Sequence, residues 1–319
     1  MKVSVVIATY NGERFLGEQL TSLMKQKLLP DEVVICDDSP NDLTQKVIEQ
    51  FLQKLNIQYY HNEKTLGVNN NFTKALSLAK GEFIFLCDQD DYWHEDKIIK
   101  MVDELEKNPQ LDGVFCNSSV VDSHLQKLNY SLWKMRNFTR KMQTELSNGN
   151  SLKVFLKRVT LSAHNIAFRR RALNYIFPIP EITPFYLDTW IGLCIALFSN
   201  WAMIDEELTD YRVHENNESS PKMAGIITQV ILSKKARSKN SIAATVKLAD
   251  DLLEISQGKV SNEKLNSLKN FKTHYVVRNN YSHFFVIRVV QVLFELLSFR
   301  YKYYSNGWKS IAADIILFK

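Results

Sequence analysis

Glycine and proline are scarce in this 319-residue chain, at 10 and 7 residues, and cysteine is scarcer still at four. The first shortage excludes collagen-like repeats and low-complexity segments. Neither a Gly-x-x-x-x-Gly-Lys-Ser/Thr loop nor a Gly-x-Gly-x-x-Gly turn occurs, which excludes the usual P-loop and dinucleotide readings. Cys36, Cys87, Cys116 and Cys194 each lie in or beside an apolar run and form no Cys-x-x-Cys pair. Buried reduced thiols of a cytosolic protein are therefore expected, in preference to disulfides or a zinc knuckle. Long hydrophobic runs are missing as well. Val3 to Ala8 is too short for the apolar region of a signal peptide. Phe284 to Leu297 is too short to span a bilayer at about 1.5 Å per residue, and it contains Arg288 and Glu295. No transmembrane helix is expected.

What is present is ordinary globular composition: 45% hydrophobic, 24% charged and 11% aromatic residues, with a mean hydropathy of −0.22. That suffices for one large domain or two modest ones. The net charge of +5 hides a division. Residues 222–319 hold 16 Lys/Arg against 6 Asp/Glu, a balance of +10, so residues 1–221 carry −5. The basic part has no recognisable nucleic-acid reader motif, and no nucleic-acid partner is expected. An anionic membrane surface or lipid-phosphate partner fits better.

The first 120 residues alternate short β-branched runs with helical patterns. Strands are expected at Val3–Ala8, Val33–Cys36, Ile57–Tyr60, Phe83–Cys87 and Gly113–Asn117, with helices at Glu13–Lys27, Leu43–Leu55, Asn69–Lys80 and Asp96–Lys107. This alternation implies βαβ units and a mostly parallel sheet with helices on both faces. From Asp122 to Asn150 periodicity is irregular, with Lys134, Arg136, Arg140 and Lys141 mixed among Trp133 and Phe138, and reads as a mobile excursion over one sheet face. Regular pattern returns at Ser151–Arg158, Ile166–Arg169 and the apolar helix Asp188–Phe198, followed by two short strands at Trp201–Ile204 and Asp210–His214. Asn216 to Pro221 is the clearest boundary. Two units are expected: 1–220, the α/β domain, and 221–319, a basic and mostly helical region.

In an open α/β sheet, ligands bind beyond the carboxyl ends of the strands. Three strand ends here deliver Thr9-Tyr10-Asn11-Gly12, Asp37-Asp38-Ser39-Pro40-Asn41-Asp42 and Asp88-Gln89-Asp90-Asp91-Tyr92-Trp93. The first two also read as turns, with Asp42 or Asn41 capping the next helix. The third holds three carboxylates within four residues, which repel one another, and a cap explains at most one of them. A divalent cation would offset that repulsion. All-oxygen ligands favour Mg²⁺ or Mn²⁺, with substrate phosphates completing the shell.

Val5-Val6-Ile7-Ala8-Thr9-Tyr10-Asn11, Asp37-Asp38-Ser39, Gly67-Val68-Asn69-Asn70-Asn71-Phe72 and Phe85-Leu86-Cys87-Asp88-Gln89-Asp90-Asp91-Tyr92-Trp93 together resemble the family 2 glycosyltransferases with the Rossmann-like GT-A fold, over about residues 1–215. The Asp-Gln-Asp-Asp-x-Trp form resembles the rhamnosyltransferase-type branch. The resemblance implies that Tyr10 stacks on a nucleotide base that the backbone around Ala8 bonds, and that Asp38 accepts from base or ribose. Asn11, Asn71 and Gln89 would complete the nucleotide-sugar site. Asp90 would bind the metal, and Asp88 would hold ribose or support the metal site. Asp188, in Tyr186-Leu187-Asp188-Thr189-Trp190, reads by spacing alone as an N-cap; the resemblance makes it the general base. His214, in Tyr211-Arg212-Val213-His214-Glu215-Asn216-Asn217, would reach metal or diphosphate, and Arg212 would contact phosphate. His164 would line the acceptor site, although Ala163 stands where many relatives have glycine. Trp93 and Trp190 would stack on sugar faces, with a place in the core as their other reading.

The expected activity is transfer of a sugar, with inversion, from a UDP- or dTDP-sugar to a glycan or lipid-linked glycan in bacterial cell-surface polysaccharide synthesis. The setting would be the cytoplasm, at the inner face of the plasma membrane, with peripheral membrane contact through 222–319. A metal-dependent nucleotidyl- or phosphotransferase would use the same carboxylates, and a non-catalytic nucleotide- or glycan-binding module is the third reading.

Overall fold

The computed structural model describes residues 2–182, 184–215, 217 and 239–316. Four runs rich in β-branched or aromatic residues form the parallel half of the sheet: β1 (Val3–Thr9), β2 (Glu32–Asp37), β3 (Ile57–His61) and β4 (Phe83–Cys87), in the order β3-β2-β1-β4. Val5 of β1 lies opposite Val33 on one side and Phe85 on the other. The two-residue period of a strand sends alternate side chains to opposite faces. Val5, Ile7, Val33, Ile35 and Phe85 pack beneath helices α1 (Leu16–Met24), α2 (Leu43–Glu49) and α4 (Lys97–Lys107). Val6, Val34, Ile84 and Leu86 pack against α3 (Val68–Leu78), whose Phe72, Ala75 and Leu76 face them. Helices therefore cover both faces, as expected. Cys36, Cys87, Cys116 and Cys194 are all buried free thiols.

Beyond β4 the expectation of a mostly parallel sheet needs correction. Strand β8 (Ile166–Arg169) returns antiparallel between β4 and β6 (Gly113–Val121). Strand β9 (Trp201–Arg212) runs parallel to β6, and the short β5 (Tyr92–Trp93) closes the far side antiparallel to β9. With the hairpin partner β7 (Lys127–Ser131) on β6, parallel and antiparallel pairings are equal in number among the described residues. Strand β9 is continuous where two short strands were expected; register shifts between Cys116 and Ser119 of β6 let one long strand follow the curl.

The stretch 122–150 is also a correction. It folds into β7, α5 (Leu132–Met135) and α6 (Arg140–Ser147), and Ser131 and Thr139 cap the two helices. Trp133 and Phe138 are buried against Phe115 of β6, with ring centroids 5.6 and 5.8 Å away. Helices α7 (Ser151–Lys157), α8 (Leu173–Ile176) and α9 (Leu187–Phe198) complete that layer.

The boundary expected at Asn216–Pro221 and the run Lys234–Lys239 lie largely outside the described residues. Helices α10 (Lys239–Ser256) and α11 (Asn262–Asn279) pack on the first layer, and Leu248, Ala249, Leu252, Leu268 and Phe271 share a core with α9. Lys264 Nζ donates to the last carbonyls of that region, Ala196, Leu197 and Ser199, at 2.9, 3.1 and 2.8 Å. Helices α12 (Phe285–Leu297), α13 (Arg300–Tyr304) and α14 (Trp308–Ile316) gather around a separate small cluster of Tyr281, Val292 and Tyr301. Two buried carboxylates are fully engaged there. Asp314 takes a bidentate bond from Arg278 at 2.7 and 3.0 Å and another from Tyr301 at 2.7 Å. Glu295 is held by His274 at 2.7 Å and by Arg300 through two bonds of 2.6 Å.

Candidate active site

The carboxyl ends of β1, β2 and β4 deliver their loops to one edge, and side-chain bonds lock those loops together. Gln89 Oε1 accepts from Thr9 Oγ1 at 2.6 Å and from Tyr10 N at 3.0 Å, while its amide donates to Tyr10 O at 3.1 Å. Gln89 thus grips the backbone that carries Tyr10, whose ring is 51% exposed. Asn11 takes a left-handed conformation (φ 50°) and donates its N–H to Ser39 Oγ at 2.8 Å. A Cβ at Gly12 would come within 2.4 Å of Thr9 Oγ1 and 2.9 Å of Gln89 Oε1, so only glycine lets the turn close against the clamp. Ala8, the last but one residue of β1, pairs with Cys36 of β2.

Asp38 is buried, and its carboxylate accepts from Leu66 N at 3.1 Å, Gly67 N at 2.9 Å and Asn62 Nδ2 at 2.6 Å. Asn71, also buried, donates to Thr9 O at 3.2 Å and Cys36 O at 2.9 Å and ties the ends of β1 and β2 together. In this arrangement both side chains hold the strand-end loops. On the next helix start, Asn41 Oδ1 accepts from Leu43 N at 3.0 Å, so Asn41 caps α2 where Asp42 makes no such bond.

The acidic loop separates its carboxylates by depth. Asp88 is 32% exposed, Asp90 15% and Asp91 not at all. Asp90 Oδ2 accepts from Asn217 Nδ2 at 3.1 Å and lies 2.8 Å from His214 Nε2, which places His214 beside the carboxylate expected to bind metal. Asp91 accepts Arg212 N at 2.9 Å through one oxygen, while its other oxygen has no hydrogen bond. Beneath Asp88 and Asp91 lies the His164 ring, whose Nδ1 is 3.4 Å from both Asp88 Oδ2 and Asp91 Oδ2. Its Nε2 is 3.2 Å from Ser118 Oγ, and the ring stacks on Tyr211 at 4.8 Å.

Burial pushes the Asp88 carboxyl up to about 6, against the opposing pull of Lys97 and Arg136. Burial, then the charges of Asp90 and Asp88, raise Asp91 well above the ordinary carboxylate range. Burial, then Lys97 and Arg136, hold His164 well below its usual value and keep it neutral at pH 7. The Lys97 ammonium is itself buried, 3.5 Å from the Trp93 ring centroid, bonded to His164 O and to Thr209 Oγ1 at 2.7 Å; burial brings it down to about 8.

These contacts bear on a cation. Donor atoms of Asp88, Asp91 and His164 lie within 4.8 Å of one another, and Asp91 Oδ2 and His164 Nδ1 are buried polar atoms without a hydrogen bond. Such groups seldom stay unsatisfied in a folded protein. An oxygen-rich set with one imidazole fits Mn²⁺ or Mg²⁺. The three expected ligands fall into two groups: Asp90 lies beside His214, whereas Asp88 sits with Asp91 and His164, neither of which was expected to bind metal.

Asp188 is the second residue of α9, whose cap position is Tyr186, and its Oδ1 accepts from Thr189 Oγ1 at 3.3 Å. The N-terminus of α9 is held by Asn69 of α3, whose Oδ1 accepts from Leu187 N at 3.0 Å and whose Nδ2 donates to Phe185 O at 2.9 Å. The Asp188 carboxyl is pushed up to about 6 by burial and lowered by Arg136, and the Asp88 charge also raises it. Arg136, from the stretch read as an excursion, acts on Asp88 and Asp188 alike and donates to Leu161 O at 2.7 Å.

Several expectations need correction on burial. Trp93 is fully enclosed against Phe85 and Lys97, and Trp190 is fully buried with its Nε1 on Ile176 O at 2.9 Å, so neither ring offers a face to a sugar. His164 is enclosed beneath the carboxylates and does not line an open acceptor surface. Arg212 is buried over the Phe15 ring, with its guanidinium on Asp90 O, Ser123 O and Glu18, so it braces the acidic loop and presents nothing to a phosphate. Asn62, Asn69, Lys97, Arg136 and Asn217 were not singled out from sequence. Asn69 and Asn217 stood inside quoted motifs; nothing local distinguishes Lys97 or Arg136 from surface cations.

Comparison with known proteins gives a consistent picture. Residues 4–177 match the family Glycosyl transferase family 2. An uncharacterised glycosyltransferase of Nostoc sp. is 26% identical over 267 residues, covering 79% of this chain and 76% of that protein. Other curated relatives are longer, and the chain spans 59% of them. The dTDP-rhamnosyl transferase RfbG of Shigella flexneri is 30% identical over 228 residues, 66% of this chain and 73% of its own length. The crystal structure of Staphylococcus aureus TarS 1–349 in complex with UDP-GlcNAc superposes with a TM-score of 0.62 at 18% identity, covering 99% of this chain and 88% of that one. The shared architecture is the GT-A α/β fold with a helical C-terminal region.

Proposed function

Because the chain belongs to glycosyl transferase family 2, we propose that it is an inverting enzyme that moves a sugar from a UDP- or dTDP-linked donor to a glycan or lipid-linked glycan in bacterial cell-surface polysaccharide synthesis. The observation that carries this reading is a pair of carboxylates with raised affinity for protons, Asp88 at the strand end and Asp188 at the start of α9, within electrostatic reach of each other and of Arg136. The dTDP-rhamnosyl name of the Shigella relative supports dTDP-rhamnose as one donor to try.

In the proposed site Tyr10 stacks on the nucleobase and the backbone at Ala8 and Asn11 bonds it, while Asp38, Asn71 and Gln89 keep those loops in register. Asp90 and Asp88 would hold the metal, with His214 beside Asp90. When bound, Mn²⁺ or Mg²⁺ would supply Lewis-acid neutralisation of charge developing on the diphosphate. The acceptor hydroxyl attacks the anomeric carbon opposite the leaving group. Its proton passes to a carboxylate oxygen of Asp188, and the bond to the diphosphate breaks with its electron pair on the nucleoside diphosphate. A carboxyl brought up to about 6 is a stronger base than an ordinary aspartate yet still mostly ionised at pH 7. Residues 1–220 would form the catalytic unit. Residues 221–319 would face the membrane bearing a lipid-linked acceptor, on the cytoplasmic side.

A thermal-shift panel of UDP- and dTDP-sugars with Mn²⁺ or Mg²⁺ tests the donor, because a ligand bound to the native state raises its stability by mass action. One sugar nucleotide should stand out, and only with metal. Failure of every nucleotide sugar to shift the transition, or release of pyrophosphate in place of nucleoside diphosphate, would overturn the reading.

A further inference from the structure

Helix α12 is built inside out. Its buried stripe is Arg288, Val292 and Glu295, at the i, i+4, i+7 spacing of one helix face. Arg288 donates to backbone carbonyls of Ser282 and Ile315, and Glu295 is bonded by His274 and Arg300. The opposite face is apolar and turned outward: Phe285, Val286, Val290, Leu293, Phe294 and Leu297 are all exposed, Phe294 at 70% and Leu297 at 73%. A lone exposed Leu needs no explanation, but a contiguous apolar stripe of this length does.

The charge around it selects the occupant. Between Tyr281 and Ile316 the acidic residues are Glu295 and Asp314, and both are buried and bonded to arginines. The exposed cations are Lys302 and Lys309, beside Tyr303 and a Trp308 that is 72% exposed. Apolar stripe, interfacial aromatics and exposed lysines are the combination that suits a helix lying in the plane of an anionic bilayer. Thirteen residues at about 1.5 Å each are too few to cross one, and no helix among the described residues is long and apolar enough to do so.

We propose that α12 is a membrane-docking helix that lies in the interface of an anionic lipid surface with the Phe285–Leu297 stripe immersed and the Arg288–Glu295 stripe gripping the protein. This deepens the membrane contact proposed above, and its purpose rests on the lipid-linked acceptor of that reading. The test is flotation of the full chain with vesicles of phosphatidylglycerol and phosphatidylcholine, and with phosphatidylcholine alone. A second sample carries Phe294→Asp and Leu297→Asp, and donor hydrolysis and circular dichroism are followed in both. The wild-type chain should float with the anionic vesicles, and the double variant should lose at least tenfold in bound fraction with its spectrum and hydrolysis unchanged. A wild-type chain that stays in the dense fraction overturns the proposal. So does a dimer in sedimentation velocity that the double variant abolishes without any flotation. Absence of hydrolysis with retained flotation would count against the glycosyl-transfer reading alone.

Discussion

Two groups of acids in this molecule are treated in opposite ways. In the C-terminal lobe, Asp314 and Glu295 are each matched by an arginine, and every carboxylate oxygen has a bond of 3.0 Å or less. At the strand ends, Asp88 and Asp91 crowd a neutral histidine at 3.4 Å, one carboxylate oxygen has no hydrogen bond, and burial raises both carboxyls. A protein that satisfies one set so fully is able to satisfy the other. An unsatisfied set of this kind is the usual mark of a functional site, which is the reading proposed for it.

The contrast is open to experiment. The largest effect is expected at the proposed base: Asp188→Asn should lower transfer by about 10² to 10⁴-fold, with donor binding by calorimetry intact. In the lobe the converse holds. Asp314→Ala strands a buried arginine, so unfolding in denaturant should lose on the order of 3–5 kcal/mol while the folded fraction keeps its transfer rate. If transfer fell and stability did not, the two sets would not differ as described.

Next in size is the cation. Mn²⁺ or Mg²⁺ at a hundredfold excess over its dissociation constant should stabilise the wild type by about 2.7 kcal/mol in thermal melts. Chelation should reverse the gain, and Asp90→Ala should abolish it. The smallest effect concerns the protons on Asp188. Its native carboxyl sits near 6, above its unfolded value, so the fold is penalised once both states would ionise, above about pH 6, and not below about pH 4. Asp188→Asn should therefore raise stability on the order of 1 kcal/mol at pH 7.5 and leave it unchanged at pH 4. The same group should make kcat/KM fall about tenfold per pH unit below 6.

The parallel half of the sheet was legible because buried parallel strands read as short, nearly unbroken apolar runs, and Val3–Thr9 or Phe83–Cys87 has no other comfortable home. The return of β8 was not, since the direction in which a four-residue strand runs is decided by partners 84 residues away in sequence, as Ile84 pairs with Phe168. Residues 122–150 misled because Trp133 and Phe138 are core residues at no regular spacing, one supplied by the short helix α5 and the other by the link between α5 and α6. The clustering of Asp88, Asp90 and Asp91 was plain in sequence. Their separation by depth was not, because it depends on Arg212 folding inward to hold the loop from beneath, and on Lys97 being drawn under His164.

Helix α3 has one consequence for how the two halves of the chemistry are kept in step. Asn71 fastens it to the ends of β1 and β2, and Asn69 fastens it to the first turn of α9. Two positions apart on a single helical turn, they act as the jaws of a caliper: the gap between the proposed nucleotide site and the proposed base is gauged by the rise of a helix, and loop length does not enter. Insertions between Gly67 and Phe72 would open both jaws together, whereas the long connections on either side are free to vary in length without changing the measured gap.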